Sequence, residues 1–249
     1  MPAVIPPPRP ASGLLRVREH VRAEDDERLH SLLWRAGDGW RMISSAVLGG
    51  GIGERSWVLN AQVSHGYRRT DPDRHLAELA RAAGAHGPGV GLMTAADVRA
   101  YGHACDGGVE AVATAGLGVR GWAASPAEGT AVAARPGTVN ILVALPVALT
   151  DAALVNAVAT ATEAKVQALL AAGYDCSGTP TDAVCVAARS PRADDEVHAF
   201  AGPRSLWGAR LARAVHQAVG TAARHTYPTP EARAAETCVS DSYRAQRGS

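Results

Sequence analysis

The chain has 249 residues, 47% of them hydrophobic and 20% charged, which suits a globular protein of one large domain or two small ones. Lys+Arg number 25 against 24 Asp+Glu. That balance leaves no basic footprint for nucleic acid or an anionic membrane surface, so neither is expected as a partner.

Residues 1–12 hold five prolines and read as a disordered tail. A single domain is expected over 13–227, followed by a polar tail over 228–249 around Pro228 and Pro230. Leu32–Arg35 and Trp40–Ile43, joined by Ala36-Gly37-Asp38-Gly39, predict a first hairpin. Val47-Leu48 runs into the glycine cluster 49–53, and a strand is expected over Ser56–Val63. Asp71-Pro72 can open a helix through Ala83. Val90–Ala95, Val109–Gly116 and Val139–Leu145 are short apolar runs bounded by Gly or Pro, as strands buried on both faces are. A helix over 151–172 follows, then strands at Asp182–Ala188 and Val197–Ala201. A last helix, from Pro203 to Arg224, has Trp207, Leu211, Val215, Ala218 and Ala222 on one stripe. The expected class is α/β (α+β), mixed sheets with helices outside.

The 151–172 helix carries an anomaly. Thr150-Asp151 is a good start and Gly173 a good stop. At 100° per residue, Leu154, Val155, Val158, Ala161, Val166, Ala168, Leu169 and Ala172 share a face, and Asn156, Thr160, Glu163 and Gln167 oppose it. Lys165 falls in the middle of the apolar face, with Thr162 beside it. Such a lysine either snorkels to the edge or meets a partner, a carboxylate or an oxyanion at a site. Glu163 reads as solvated, which ranks it below Lys165.

The four cysteines, Cys105, Cys176, Cys185 and Cys238, form no C-x-x-C pair and no disulfide framework, so reduced thiols are expected. The amino terminus has no basic n-region or continuous apolar segment, and no stretch approaches a membrane span. A cytoplasmic location is the expectation. The apolar, β-rich core would permit a homodimer.

Five bends repeat one theme, glycine beside a small polar residue. They are Ser44-Ser45 before the Gly49 cluster, Gly91–Thr94, Thr114-Ala115-Gly116, Gly137-Thr138-Val139-Asn140 and Gly178-Thr179-Pro180-Thr181-Asp182. Glycine admits a ligand or strand close to the backbone, and the hydroxyls and amides beside it can bind polar groups or supply a nucleophile. Each bend is equally ordinary turn chemistry. The 49–53 cluster is no dinucleotide fingerprint, since Ser56 stands where glycine or alanine is needed and a strand follows. A P-loop, a G-x-S-x-G elbow and an H-E-x-x-H are absent. His103-Ala104-Cys105-Asp106 holds metal-capable side chains without a second cluster, and no metal site is expected.

Met42-Ile43-Ser44-Ser45-Ala46 with Gly49-Gly50-Gly51, then Val58-Leu59-Asn60 and Val90–Ala96, resemble the adenosylcobinamide amidohydrolase (CbiZ-type) family. So do Thr114–Leu117, Gly137–Ile141, Thr162–Lys165, Gly178–Ala183, Ala201-Gly202 and Trp207-Gly208. The order and spacing hold over residues 42–220, while Cys176-Ser177 and Pro180 depart from the threonine-rich run the family suggests. The resemblance implies hydrolysis of the amide joining aminopropanol to the corrin side chain of adenosylcobinamide, in corrinoid (vitamin B12) salvage or remodelling, giving adenosylcobyric acid and aminopropanol. The partner is then the adenosylated corrinoid. No cofactor is implied, because the cobalt belongs to the substrate.

The stretch from Gly137 to Asp182 is also similar to the threonine or serine nucleophile core of the β-aminopeptidase and ornithine acetyltransferase fold. That likeness implies a four-layer αββα sandwich. It makes Thr138, or an activated water, the attacking group. Lys165 or Asp182 would handle the proton, and Asn140 or a glycine-bend amide would bind the oxyanion, with Glu163 completing the catalytic candidates. Ser45, Asn60, Thr94, Thr114, Gly116, Gly178, Thr179 and Thr181 are candidates to bind substrate. Three rivals stand beside this reading: a non-catalytic adenosylcorrinoid carrier, an amidase for another amide, and an interaction protein using Trp34, Trp40 and Trp57, which packing in strands makes core residues instead.

Overall fold

The computed structural model describes residues 13–125 and 137–225. The two expected tails, 1–12 and 228–249, lie outside the described residues.

The chain begins with an antiparallel pair, β1 (Val17–Glu24) and β2 (Glu27–Arg35). Asp25 and Asp26 turn it with φ of 50° and 61°, the left-handed geometry that a two-residue hairpin of this twist requires. Charged residues keep β1 silent as an apolar pattern, as suits a sheet edge. Next come β3 (Trp40–Ser44), β4 (Gly51–Glu54), β5 (Trp57–Gln62), α1 (Pro72–Ala82) and β6 (Gly89–Thr94). Then follow β7 (Gly102–Asp106), β8 (Val109–Ala115), β9 (Val139–Ala144), β10 (Ala148–Leu149) and α2 (Asp151–Ala171). The last elements are β11 (Ala183–Arg189), β12 (Val197–His198) and α3 (Leu206–His225).

Two main sheets result. One runs β1-β2-β5-β6, the other β4-β3-β11-β9-β8-β7, and β10 pairs with β12 alone. The expected hairpin between 32–35 and 40–43 does not form, because β2 and β3 belong to different sheets. Gly37 and Gly39, both at positive φ, hand the chain from one sheet to the other. Trp34 and Trp40 meet edge to face across the gap, ring centroids 4.9 Å apart. The two apolar runs do match each other, but by packing face to face.

Three apolar seams separate four layers. Leu33, Trp57, Leu59 and Ala61 pack on Leu76 and Ala80 of α1. Leu32, Trp34, Val58, Val90 and Leu92 of the first sheet face Trp40, Met42, Leu142, Ala144 and Cys185 of the second. Ala111, Ala113, Ile141, Val143 and Val186 on the far side of that sheet pack under Leu154, Ala161 and Leu169 of α2 and Leu211, Val215 and Ala218 of α3. The architecture is the expected α+β sandwich of order αββα. Small side chains permit close layers. A Cβ on Gly102 would lie 2.0 Å from the Ala218 carbonyl oxygen, so α3 rests directly on β7.

The buried stripe of α2 is rotated from expectation. Its buried residues are Ala153, Leu154, Ala157, Thr160, Ala161, Ala164, Lys165, Ala168 and Leu169. Val155 is 57% exposed and Thr162 is exposed, whereas Thr160 is 1% exposed and donates to the Ala201 carbonyl at 2.9 Å. That inward face is mostly alanine, with Leu154 and Leu169, and the alanines let the helix approach the sheet and α3 closely. No helix among the described residues is long and apolar enough to cross a membrane.

Candidate active site

β9 and β11 lie side by side and parallel, with Ala183 opposite Asn140. Their N-terminal ends therefore bring the 137–140 and 178–182 bends together. Asp182 sits at the junction. Its Oδ1 accepts from the Val139 N–H at 2.8 Å and the Thr179 hydroxyl at 2.5 Å. Its Oδ2 accepts from the Thr179 N–H at 3.2 Å and from Lys165 Nζ at 2.5 Å. Lys165 is 7% exposed, so it does not snorkel: the apolar face of α2 delivers its ammonium to this carboxylate. Gly178, at φ +150°, makes the room. A Cβ there would stand 2.6 Å from Lys165 Nζ and closer still to Asp182.

Thr138 Oγ1 lies 2.5 Å from Thr181 Oγ1, and the Thr181 hydroxyl donates to the Gly137 carbonyl at 3.1 Å. A hydroxyl has one proton. With that of Thr181 committed to Gly137, Thr138 is the donor of the pair.

Period-two alternation sends Asn60, Thr114 and Asn140 into the seam between the sheets. Asn140 Nδ2 donates to Asn60 Oδ1 at 2.8 Å and to the Met93 carbonyl at 3.0 Å, and Asn60 Nδ2 donates to Thr114 Oγ1 at 2.9 Å. Asn140 Oδ1 is buried without a hydrogen-bond partner among the described residues. Asn60 and Thr114 thus lie under the site, tying the sheets together.

Above this floor opens a cleft of about 470 Å³, lined by Ser45–Val47, Val63–His65, Tyr67, Gly91–Ala95, Thr138, Asn140 and Thr181–Ala183. It lies where the C-terminal ends of β5 and β6 meet the N-terminal ends of β9 and β11. Of the residues expected to bind substrate, Ser45, Thr94 and Thr181 line it. Gly178 and Thr179 frame it from behind, and Gly116 donates its N–H to the Thr138 carbonyl at 2.9 Å. Ser45 Oγ and Thr94 Oγ1 already accept the N–H groups of Val184 and Ala96. Glu163 is exposed on the far side of α2 and does not join the cluster.

The rim residues Ser64, His65 and Tyr67 were not expected. The signal was present in Ser64-His65-Gly66-Tyr67, polar groups directly after a buried strand, where ligands of α/β sheets gather. The Tyr67 hydroxyl contacts His75 Nδ1 at 3.1 Å, and His75 Nε2 lies 3.3 Å from Glu24 Oε1. Burial pushes the Tyr67 phenol up and the 3%-exposed His75 imidazole down from their ordinary values. In the His103–Asp106 stretch, His103 meets Glu110 at 3.2 Å and Asp106 pairs with Arg213 at 2.7 Å. Among the described residues no group of three or more His, Cys, Asp or Glu could hold a metal ion.

Residues 15–230 match the family model described as adenosylcobinamide amidohydrolase. The chain belongs to the adenosylcobinamide amidohydrolase family. A member named adenosylcobinamide amidohydrolase from Methanosarcina mazei is 31% identical over 178 residues, covering 69% of this chain and 84% of that protein. Another of that name, from Halobacterium salinarum, is 45% identical over 87 residues, or 34% of this chain and 36% of that one. Among solved structures, the PH0078 protein from Pyrococcus horikoshii OT3 aligns with a TM-score of 0.48 and 11% identity, over 86% of this chain and 84% of that one. As a member of an amidohydrolase family the chain is an enzyme acting on an amide, and the reading as a non-catalytic carrier falls away.

Proposed function

We propose that this amidohydrolase cleaves the aminopropanol amide of adenosylcobinamide, releasing adenosylcobyric acid and aminopropanol, as a step of corrinoid salvage or remodelling. The observation that carries the reading is the cleft floor. There the Thr138 hydroxyl meets that of Thr181, whose chain neighbour Asp182 is held from behind by Lys165, in a chain whose relatives bear that substrate's name. A cleft of about 470 Å³ fits a side arm better than a macrocycle with its adenosyl ligand. The corrin ring would lie across the mouth and send its amide arm to the floor. The cobalt stays part of the substrate.

In this reading Thr138 Oγ1 attacks the amide carbonyl, its hydroxyl aligned by Thr181. Asp182 acts as a clamp, since its oxygens already accept four donors. Lys165, held behind the Gly178 bend, contributes positive charge that favours the developing oxyanion. Asn140 has both N–H groups engaged, so it shapes the floor and leaves oxyanion binding to the bend amides. Ser45, Thr94 and Thr181 would contact the arm.

Purified protein incubated with adenosylcobinamide should release both products, followed by mass spectrometry. Thr138→Ala should lose at least about a hundredfold in kcat, the scale of a lost nucleophile or of its positioned proton transfer. Full activity in Thr138→Ala would remove the nucleophile assignment. Turnover of other amides but not of this one would redirect the substrate.

A further inference from the structure

Amide hydrolysis needs a base while an O–H attacks and an acid while the C–N bond breaks. The floor supplies neither. Asp182 already accepts four donors, Lys165 stands behind Asp182 and does not line the cleft, and the Thr138 hydroxyl faces another hydroxyl. Tyr67 lines the same cleft, and polar contacts run from it through the buried His75 to the half-buried Glu24. Glu24 Oε1 lies 3.3 Å from His75 Nε2, while Glu24 Oε2 is fixed by Arg22 at 2.6 Å. A carboxylate only accepts, so the proton of a neutral His75 sits on Nε2. Nδ1 is then an acceptor, and the Tyr67 O–H at 3.1 Å donates to it. That leaves a Tyr67 oxygen lone pair for a partner in the cleft. His65, the other rim histidine, is exposed, and no hydrogen bond among the described residues orients it.

We propose that Tyr67 is a catalytic residue that relays protons between the reacting atoms and His75, with His75 and Glu24 as positioning residues; this rests on the cleft being the hydrolytic site. As the attacking oxygen of water, or of Thr138 with its hydroxyl turned from Thr181, bonds to the carbonyl carbon, its proton passes to the Tyr67 oxygen. Tyr67's own proton moves to His75 Nδ1, and the carbonyl π pair moves onto oxygen. The imidazolium is held by Glu24. On collapse the C=O re-forms and the C–N bond breaks with its pair going to nitrogen. Nitrogen takes a proton back from Tyr67, which is reprotonated from His75. If water attacks, the acid forms directly. If Thr138 attacks, the acyl-threonine ester is then cleaved by a water through the same pair of transfers, the Thr138 oxygen leaving and taking the proton back. No proton is consumed overall.

Burial holds His75 below its ordinary value and so in the accepting form at neutral pH, against the Glu24 charge, which raises it. The other charges facing the pair are Arg22, Arg69, Asp71 and Glu78, and Arg69 is itself paired with Asp71 and Glu78. The rate on adenosylcobinamide should therefore rise with pH along an acid limb below 6.5.

The test combines Tyr67→Phe and Glu24→Gln with pH profiles and with imidazole nitrogen NMR of the substrate-free protein. Tyr67→Phe keeps the ring and should lower kcat about 10²–10⁴-fold with KM changed only a few-fold. Glu24→Gln should move the acid limb to lower pH, a shift that a merely structural contact would not cause. NMR should find the His75 proton on Nε2, with the Nδ1 resonance moved in Tyr67→Phe. Wild-type kcat in Tyr67→Phe, an unmoved limb in Glu24→Gln, or a rate lost on His65→Gln instead would overturn the relay. If the wild-type protein leaves adenosylcobinamide intact, the substrate reading fails by itself. The relay is then decided by NMR, and a His75 proton on Nδ1 overturns it.

Discussion

Lys165 and Asp182 form a pair that is asymmetric in what each needs. Asp182 keeps three neutral donors if the lysine goes: two N–H groups and the Thr179 hydroxyl. Lys165, buried among alanines, has no other carboxylate among its described contacts. Removing one partner of a buried pair is costly because of the charge left behind. Asp182→Asn should therefore cost about 3–5 kcal/mol in urea unfolding, and Lys165→Met clearly less, since a methionine fits an apolar stripe. The opposite ranking would show that the lysine reaches water or a different acceptor. The same asymmetry explains how the residue was legible: a lysine centred on an apolar face is costly without a partner. The identity of that partner was not legible from α2, because it stands in the bend before β11 and depends on how β9 and β11 pair.

At the scale of elements, the sequence marks what is local. The Thr150 hydroxyl accepts the Ala153 N–H at 3.1 Å, a side-chain N-cap readable from Thr-Asp before an apolar period. Thr150→Ala should cost about 1 kcal/mol, read as a lower urea midpoint at unchanged slope, with Thr150→Ser recovering most of it. An unchanged midpoint would mean that tertiary packing alone fixes that helix end. Strand existence was legible for the same local reason at 57–62, 89–94, 109–115 and 139–144. Strand partners were not. Ala36–Gly39 has the composition of a hairpin turn, yet its glycines redirect the chain between sheets. β1 and β7, half polar along an edge, gave no period to read. The Ser64–Tyr67 rim was passed over because its importance comes from α1, which brings His75 beneath it.

The whole molecule closes around the seam between its two sheets, and the cleft is the end of that seam. Asn60, Asn140 and Thr114 bond across it beneath the cleft floor, where the surrounding side chains are apolar. Cys185 lies in the same seam with no exposure, and burial pushes its thiol up to about 12. A thiol reacts as thiolate, so Cys185 should be inert to a disulfide reagent until the sheets part. Its labelling rate then measures that opening. Removing one member of the amide network leaves buried polar atoms unpaired, at about 1–3 kcal/mol. In a Cys105→Ser/Cys238→Ser background, with the labelled peptide identified by mass spectrometry, Asn60→Ala should accelerate Cys185 labelling roughly five- to hundredfold, the same energy expressed as an opening equilibrium. If Cys185 labels no faster while global stability falls, the network serves local packing and the sheets are held by their apolar contacts alone. If it accelerates as expected, the amides beneath the floor are what fix one sheet against the other, and with them the distance between the Tyr67 rim and Thr138.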